Sequence, residues 1–270
     1  MVTEDNPADC VLKAKVHNVK NLSQLLKCIH FKDVAVCFAS KNGLKFVTED
    51  SKCMQAAAFI GEDIFQEYSL EEELIGFRIE LNVLMECLTI LDGDASMNLY
   101  YKGYGFPLRL VIVEDDIVTD CSIKTMEALE TLHFTLPPED VVNKMIVDGP
   151  RFRDVLADLD TDSELVTFKM SPDPPHFTVA TLSIACRAEV SVPKDADMVE
   201  EFISTSRQVC QYKYSQIKPA LRTLQSSEKV SMQTGPDGLL CFQFMVKTDT
   251  NQMAYIEYFC TPVISDEEEE

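Results

Sequence analysis

Two short segments of this chain carry cations and no acid. Residues 10–32 hold Lys13, Lys15, Lys20, Lys27 and Lys32, and residues 202–227 hold Arg207, Lys213, Lys218 and Arg222. An even spread of the 45 acidic residues would place about eight in these windows, so the gap reflects charge patterning. Lys20, Gln24 and Lys27 recur at i, i+4 and i+7, and Lys218, Arg222 and Gln225 repeat that spacing. On a helix such positions share one face. A face of lysine, arginine and amide groups suits hydrogen bonding to phosphate without reading base edges. The plainer alternative is a solvated helix face, but such faces usually mix both signs. Arg151 opens a third helical pattern, where Arg153 is offset by Asp154 and Asp158, while a further helix carries Glu80 and Glu86. The polyanion-facing candidates are therefore Lys20, Gln24, Lys27, Arg151, Lys218 and Arg222, on an uneven surface.

Catalytic chemistry finds little support. None of the nine glycines makes a phosphate-cradling G-x-x-x-x-G-K-[ST] or G-x-G-x-x-G loop, and no G-x-S-x-G elbow occurs. A metal-dependent nuclease needs carboxylates converging on two ions. The nearest approach is Asp158, Asp160, Asp162 and Glu164, which read as a polar turn after a helix. Asp92 and Asp94, and Asp115 with Asp116, fall at expected hairpin turns without a partner. The ten cysteines form no Cys-x-x-Cys pair, and His17, His30, His133 and His176 are scattered. A zinc site requires such groups clustered, so no metal or cofactor is expected. Most cysteines lie in apolar segments and read as buried free thiols in a reducing compartment. The chain is read as a non-enzyme.

Four amphipathic helical patterns must position the candidates. They cover Val19–Ile29 (Leu22, Leu25, Leu26, Ile29), Leu81–Leu91 (Val83 or Leu84, Cys87, Leu88, Leu91), Arg151–Leu159 (Phe152, Val155, Leu156, Leu159) and Gln216–Leu224 (Ile217, Leu221, Leu224). Each shows one buried stripe at the helical period, and their starts recur about every 65 residues. Asp148-Gly149-Pro150 reads as a helix start, and Ser215 as the cap of the last helix, where Pro219 demands a start near residue 215 or later. Alternating runs such as Val34–Ala39, Leu108–Val113 and Ala254–Cys260 read as strands. Asn42-Gly43 and Pro236-Asp237-Gly238 separate strands as turns. Each unit thus reads as a helix followed by antiparallel strands. Paired units give domains at 10–124 and 134–262, a connector at 125–133, a short tail at 1–9 and an acidic disordered tail at 263–270.

The net charge is −21 over 270 residues. Taken alone that repels phosphate, so any polyanion must meet a local face. No apolar run nears the roughly 18 residues of a membrane span, and the acidic start Met1–Asn6 is no signal peptide. A soluble intracellular protein is expected.

Two halves, each with two helix-plus-strands units, resemble the PCNA-like DNA sliding clamps. Specific stretches are similar to the Rad-one type subunit of the checkpoint clamp: Asn18–Ser23 through Lys41–Lys45, Lys52–Ile60, Ile64–Glu67, Tyr101–Leu108, Met170–Asp173 and Val192–Asp195. The resemblance covers about residues 10–262 and is tightest in Asn18–Gly43 and the Tyr-x-Gly-Tyr-Gly-aromatic-Pro run. It implies an α+β clamp fold of two similar domains, with antiparallel sheets outside and four helices lining a central hole. It further implies a nuclear heterotrimer with Rad-nine type and Hus-one type subunits, loaded by an ATP-driven clamp loader onto double-stranded DNA or a primer–template junction. In that role it would scaffold checkpoint signalling and repair at damage or stalled forks. A 3′→5′ exonuclease or a homotrimeric replication clamp is the alternative.

Overall fold

The computed structural model describes residues 9–90, 94–157, 159, 162–249 and 251–263. The chain divides into two compact units. One comprises the residues up to Glu49 with Ala57–Thr131 and Lys247–Ala254; the other comprises Asp50–Ala56, Leu132–Val246 and the residues from Tyr255.

The first unit runs β1 (Leu12–Val16), α1 (Val19–Ile29), β2 (Val34–Ser40), β3 (Gly43–Asp50), β4 (Met54–Gly61), β5 (Glu67–Leu70), β6 (Leu74–Glu80), α2 (Leu81–Leu88), β7 (Ser96–Tyr101), β8 (Leu108–Glu114), β9 (Ile117–Ile123) and β10 (Thr125–Glu127). The second runs β11 (Asn143–Asp148), α3 (Gly149–Ala157), β12 (Leu165–Met170), β13 (Phe177–Leu182), β14 (Arg187–Val192), β15 (Val199–Ser204), β16 (Gln208–Lys213), α4 (Tyr214–Thr223), β17 (Ser227–Thr234), β18 (Leu240–Lys247) and β19 (Met253–Cys260).

Strand order exposes an internal duplication. The first unit contains the orders β5-β1-β7-β8-β9 and β6-β2-β3-β4, and the second contains β15-β11-β17-β18-β19 and β16-β12-β13-β14. Adding ten to each strand number of the first unit reproduces the second. β10 is the extra strand and pairs antiparallel to β6, Thr125 opposite Ile79. The expected connector at 125–133 therefore begins with three residues of sheet. A strand also precedes every helix, which revises the expected helix-then-strands unit.

Local chemistry accounts for the elements. Asn18 caps α1, its Oδ1 accepting from Lys20 N at 2.9 Å. Leu22, Leu25, Leu26 and Ile29 are buried, each contributing about 2 kcal/mol by the usual apolar-area scale. Asp148 Oδ1 accepts from Arg151 N at 2.9 Å and so caps α3, with Gly149 and Pro150 in the first turn. A Cβ on Gly149 would stand 2.5 Å from Ser227 O, so glycine is required where α3 meets β17. Gly43 closes the β2–β3 hairpin at φ +121°, with Ile60 O 2.1 Å from where a Cβ would sit. In the second unit Phe168 packs against Phe177, Tyr212 and Phe242 at centroid distances of 6.1, 5.7 and 6.2 Å.

Several register expectations change. On α2 the buried set is Leu81, Leu84, Met85 and Leu88, which leaves Val83 41% exposed and Cys87 half-buried. Leu91 lies outside the described residues. The last helix starts at Tyr214 on Lys213, not on a Ser215 cap, and buries Tyr214, Ile217, Ala220 and Thr223 while Leu221 is only half-buried. Pro219 thus sits inside the helix. It withholds a hydrogen bond from the carbonyl of exposed Ser215, a group that water can reach. All ten cysteines are unpaired, but only Cys10, Cys28, Cys37, Cys241 and Cys260 are buried, and Cys186 is exposed.

Candidate nucleic-acid interface

On α1 the leucine stripe fixes the opposite face. Lys20 and Lys27 are exposed and Gln24 is half-buried. Lys27, in the last turn, also complements the negative end of the helix dipole. Lys20 Nζ lies 3.8 Å from Asp94 Oδ1, with side chains 48% and 85% exposed. Exposed pairs of that kind contribute about 0–1 kcal/mol. α2 packs against α1 but offers no cation, presenting Val83, Glu86 and, just beyond its end, Ile90.

In the second unit Lys218 and Arg222 are exposed on α4, and Gln225 is exposed just past its end. Lys213, Ser215 and Lys218 line an open cleft of about 480 Å³ with Ser163, Glu164 and Leu165. On α3, Arg151 is exposed, whereas Arg153 is occupied by Asp154 at 2.9 Å. Lys27, Arg151, Lys218 and Arg222 have no ion-pair partner among the described residues. Such unpaired cations on rigid helices can exchange counterions for phosphates at little reorganisation cost.

The two acid-free windows are not single faces. Lys13 and Lys15 lie on β1, the latter 3.8 Å from Glu67, and Arg207 lies between β15 and β16. The sequence reading gave Asp94 no partner, since its contact with Lys20, 74 residues away, leaves no periodic signal. Of the carboxylates weighed for catalysis, Asp92, Asp158 and Asp160 lie outside the described residues, and Asp162 and Glu164 are exposed. Asp115 and Asp116 form the β8–β9 turn at φ 44° and 67°. Among the described residues no three His, Cys, Asp or Glu side chains are placed to share a metal ion.

Comparison with known proteins decides the family. The family described as repair protein Rad1/Rec1/Rad17 matches residues 11–246. The chain belongs to the Rad1/Rec1/Rad17 family. It is 41% identical over 265 residues to the cell cycle checkpoint protein RAD1 of Homo sapiens, covering 96% of this chain and 94% of that protein. The DNA repair protein Rad1 of Drosophila melanogaster is 30% identical over 263 residues, covering 95% and 96%. Among solved structures, the PCNA2-PCNA3 complex of Sulfolobus tokodaii superposes with a TM-score of 0.76 at 14% identity, over 93% of this chain and 98% of that one. This Rad1/Rec1/Rad17 member therefore has the PCNA-like α+β clamp fold, four helices against antiparallel sheets. Among the described residues no helix is long and apolar enough to cross a membrane.

Proposed function

We propose that the chain is one subunit of a heterotrimeric ring that encircles DNA at damage or stalled forks and scaffolds checkpoint signalling and repair. The observation that carries this reading is the pair of exposed cation stripes, Lys20 with Lys27 and Lys218 with Arg222, on two helices of a clamp fold. In this reading Gln24 on α1 and Arg151 on α3 also meet DNA. In this reading the helices line the hole, and the sheets turn outward.

The edges support assembly. Among the described residues β9 has only β8 as a neighbour in its sheet, and β14 has only β13. Unpaired edges of seven and six residues invite pairing with another chain. β9 and β14 differ in sequence, so each selects a different neighbour, the Rad-nine type and Hus-one type subunits. The structural relative is itself a complex of two differently named chains.

Charge fits the same scheme. A ring holds DNA by topology and needs no tight grip, so a net charge of −21 is tolerable. A negative exterior turns DNA away from the wrong surface and leaves it the basic helices. Opening such a ring requires an ATP-driven loader acting at a primer–template junction, and the site of action is nuclear. The chain itself acts as a non-catalytic scaffold in this account, without metal or cofactor.

Charge reversal tests it. Lys20, Lys27, Lys218 and Arg222, all changed to Glu, should leave folding and trimer assembly intact, since the four side chains are exposed. Affinity for short linear duplex DNA, from which a ring can slide, should weaken, and its salt dependence should flatten. Trimers that hold DNA as wild type at low salt would remove these helices from the DNA-facing surface. Failure to assemble would place them at a subunit contact instead.

A further inference from the structure

Two of the ten cysteines meet inside the first unit. Cys87 lies in the last turn of α2, one residue before the helix ends at Leu88. Cys121 lies on β9, the edge strand that α2 packs against. Strand alternation aims Cys121 inward. It stands opposite Leu110, which is fully buried, so both side chains share the inner face of the sheet. Its neighbours Asp120 and Ser122 are exposed on the other face. The two thiols are in hydrogen-bond contact, and Cys87 is the one that holds its proton. Burial, and then the bond to the Cys121 sulfur, push the Cys87 thiol from 9.0 up to about 11.

Both residues are half-buried, so a small solute can reach them. Two sulfurs already in contact need only close to about 2.0 Å to bond. The backbone can give at both positions, one at a helix end and the other on a strand with a single neighbour among the described residues. Cys53 and Cys260 are arranged differently. The amide of Gln216 stands between them, its Nε2 2.6 Å from the Cys53 sulfur and its Oε1 3.6 Å from the Cys260 sulfur.

We infer that Cys87 and Cys121 form a redox dithiol, a modification site at which a small neutral hydroperoxide closes a reversible disulfide between α2 and β9. Cys121, whose sulfur accepts the Cys87 hydrogen, attacks first. Its thiolate bonds to one peroxide oxygen, the O–O bond breaks, and the departing hydroxide takes the Cys121 proton to become water. Cys121 is then a sulfenic acid. The Cys87 sulfur attacks the Cys121 sulfur, the S–S bond forms and the S–O bond breaks. The second hydroxide takes the Cys87 proton. Two thiols thus lose two electrons, and one hydrogen peroxide becomes two waters. Charge selects the oxidant. Glu86 acts on the Cys87 thiol, and the chain carries −21 overall, so an anionic oxidant such as glutathione disulfide is disfavoured.

The test uses the full chain with Cys186→Ser, which removes the exposed thiol. It is treated with hydrogen peroxide in slight excess, blocked with N-ethylmaleimide in denaturant, digested and read by mass spectrometry. The Cys87–Cys121 disulfide should form before any other cysteine pair and should be reversed by dithiothreitol. Glutathione disulfide at the same concentration should yield it about tenfold more slowly. Adding Cys87→Ser should stop the reaction at a Cys121 sulfenic acid, which dimedone traps. Circular dichroism checks the fold of that variant, and the chain that keeps both thiols carries the main result without it. The inference is overturned if peroxide oxidises the chain elsewhere and leaves Cys87 and Cys121 as thiols. It is equally overturned if another pair, Cys53 with Cys260 included, closes first, or if glutathione disulfide matches peroxide.

Discussion

Asp94 Oδ1 accepts from Asn18 Nδ2 at 3.2 Å and lies 3.8 Å from Lys20 Nζ. One carboxylate oxygen thus touches both the residue that caps α1 and the first cation of its exposed stripe. The pair is solvent-exposed, so its attraction is weak enough for a phosphate to displace Asp94. In Asp94→Asn the side-chain oxygen can still accept from Asn18, while the competing charge is gone. Affinity of the assembled protein for duplex DNA at low salt should rise by about two- to fivefold. Fluorescence anisotropy across a salt series measures it. Unchanged or weaker binding would separate Lys20 from the DNA contact.

A buried polar network should set the stability of the second unit. Asn143 is fully buried. Its Nδ2 donates to Gln208 Oε1 at 2.6 Å and to Thr234 Oγ1 at 3.2 Å, and its Oδ1 accepts from Ser204 Oγ at 2.6 Å. Gln208 Nε2 in turn donates to Gly235 O at 2.9 Å. β11, β15 and β17 and the start of β16 are therefore joined through buried Asn143 and Thr234 and half-buried Ser204 and Gln208. Asn143→Leu removes its three side-chain hydrogen bonds from a buried position, at a cost of about 1–3 kcal/mol. Urea unfolding reads the loss, and a change below about 0.5 kcal/mol would show the network to be dispensable.

Burial pushes the Cys260 thiol up to about 12 and raises Cys37 and Cys241 further, from an ordinary value of 9.0. Above pH 9 the unfolded chain would lose thiol protons that the folded chain keeps, so fewer protons are bound in the unfolded state. Stability should be unaffected by these groups below pH 9 and should fall as pH rises from there through about 12. Maleimide labelling of the native protein should modify exposed Cys186 first and spare Cys37, Cys241 and Cys260 until unfolding. A urea midpoint that does not decline above pH 9, or native labelling of Cys260 as fast as Cys186, would contradict this.

Periodicity made α1 fully legible, since Leu22, Leu25, Leu26 and Ile29 leave one phase and no proline disturbs it. The same reasoning found Ile217 and Leu224 on the buried side of α4 but erred at Leu221, which is half-buried. The buried register runs through Tyr214, Ile217, Ala220 and Thr223, and a scan for large apolar residues selects Leu221 instead of Ala220. β4 escaped notice because Met54–Ala58 is buried at every position, which erases the alternation of a half-exposed strand. β14 and β16 were missed for the opposite reason, as exposed edge strands with few apolar residues. The Asn42-Gly43 turn was readable because only glycine tolerates φ +121° there. For the site, the cations Lys20, Lys27, Lys218 and Arg222 follow from helical spacing, whereas Asp94 approaches Lys20 through tertiary structure alone.

Encirclement of DNA is the central claim, and topology tests it most directly. The chain, assembled with its partner subunits and loaded onto a nicked circular plasmid, is washed at high salt, where charge contacts alone dissociate. The plasmid is then cut once with a restriction enzyme. A ring predicts retention on the circle and rapid release from the free ends after cutting. Equal loss from circular and linear DNA at high salt, or equal retention on both, would contradict encirclement.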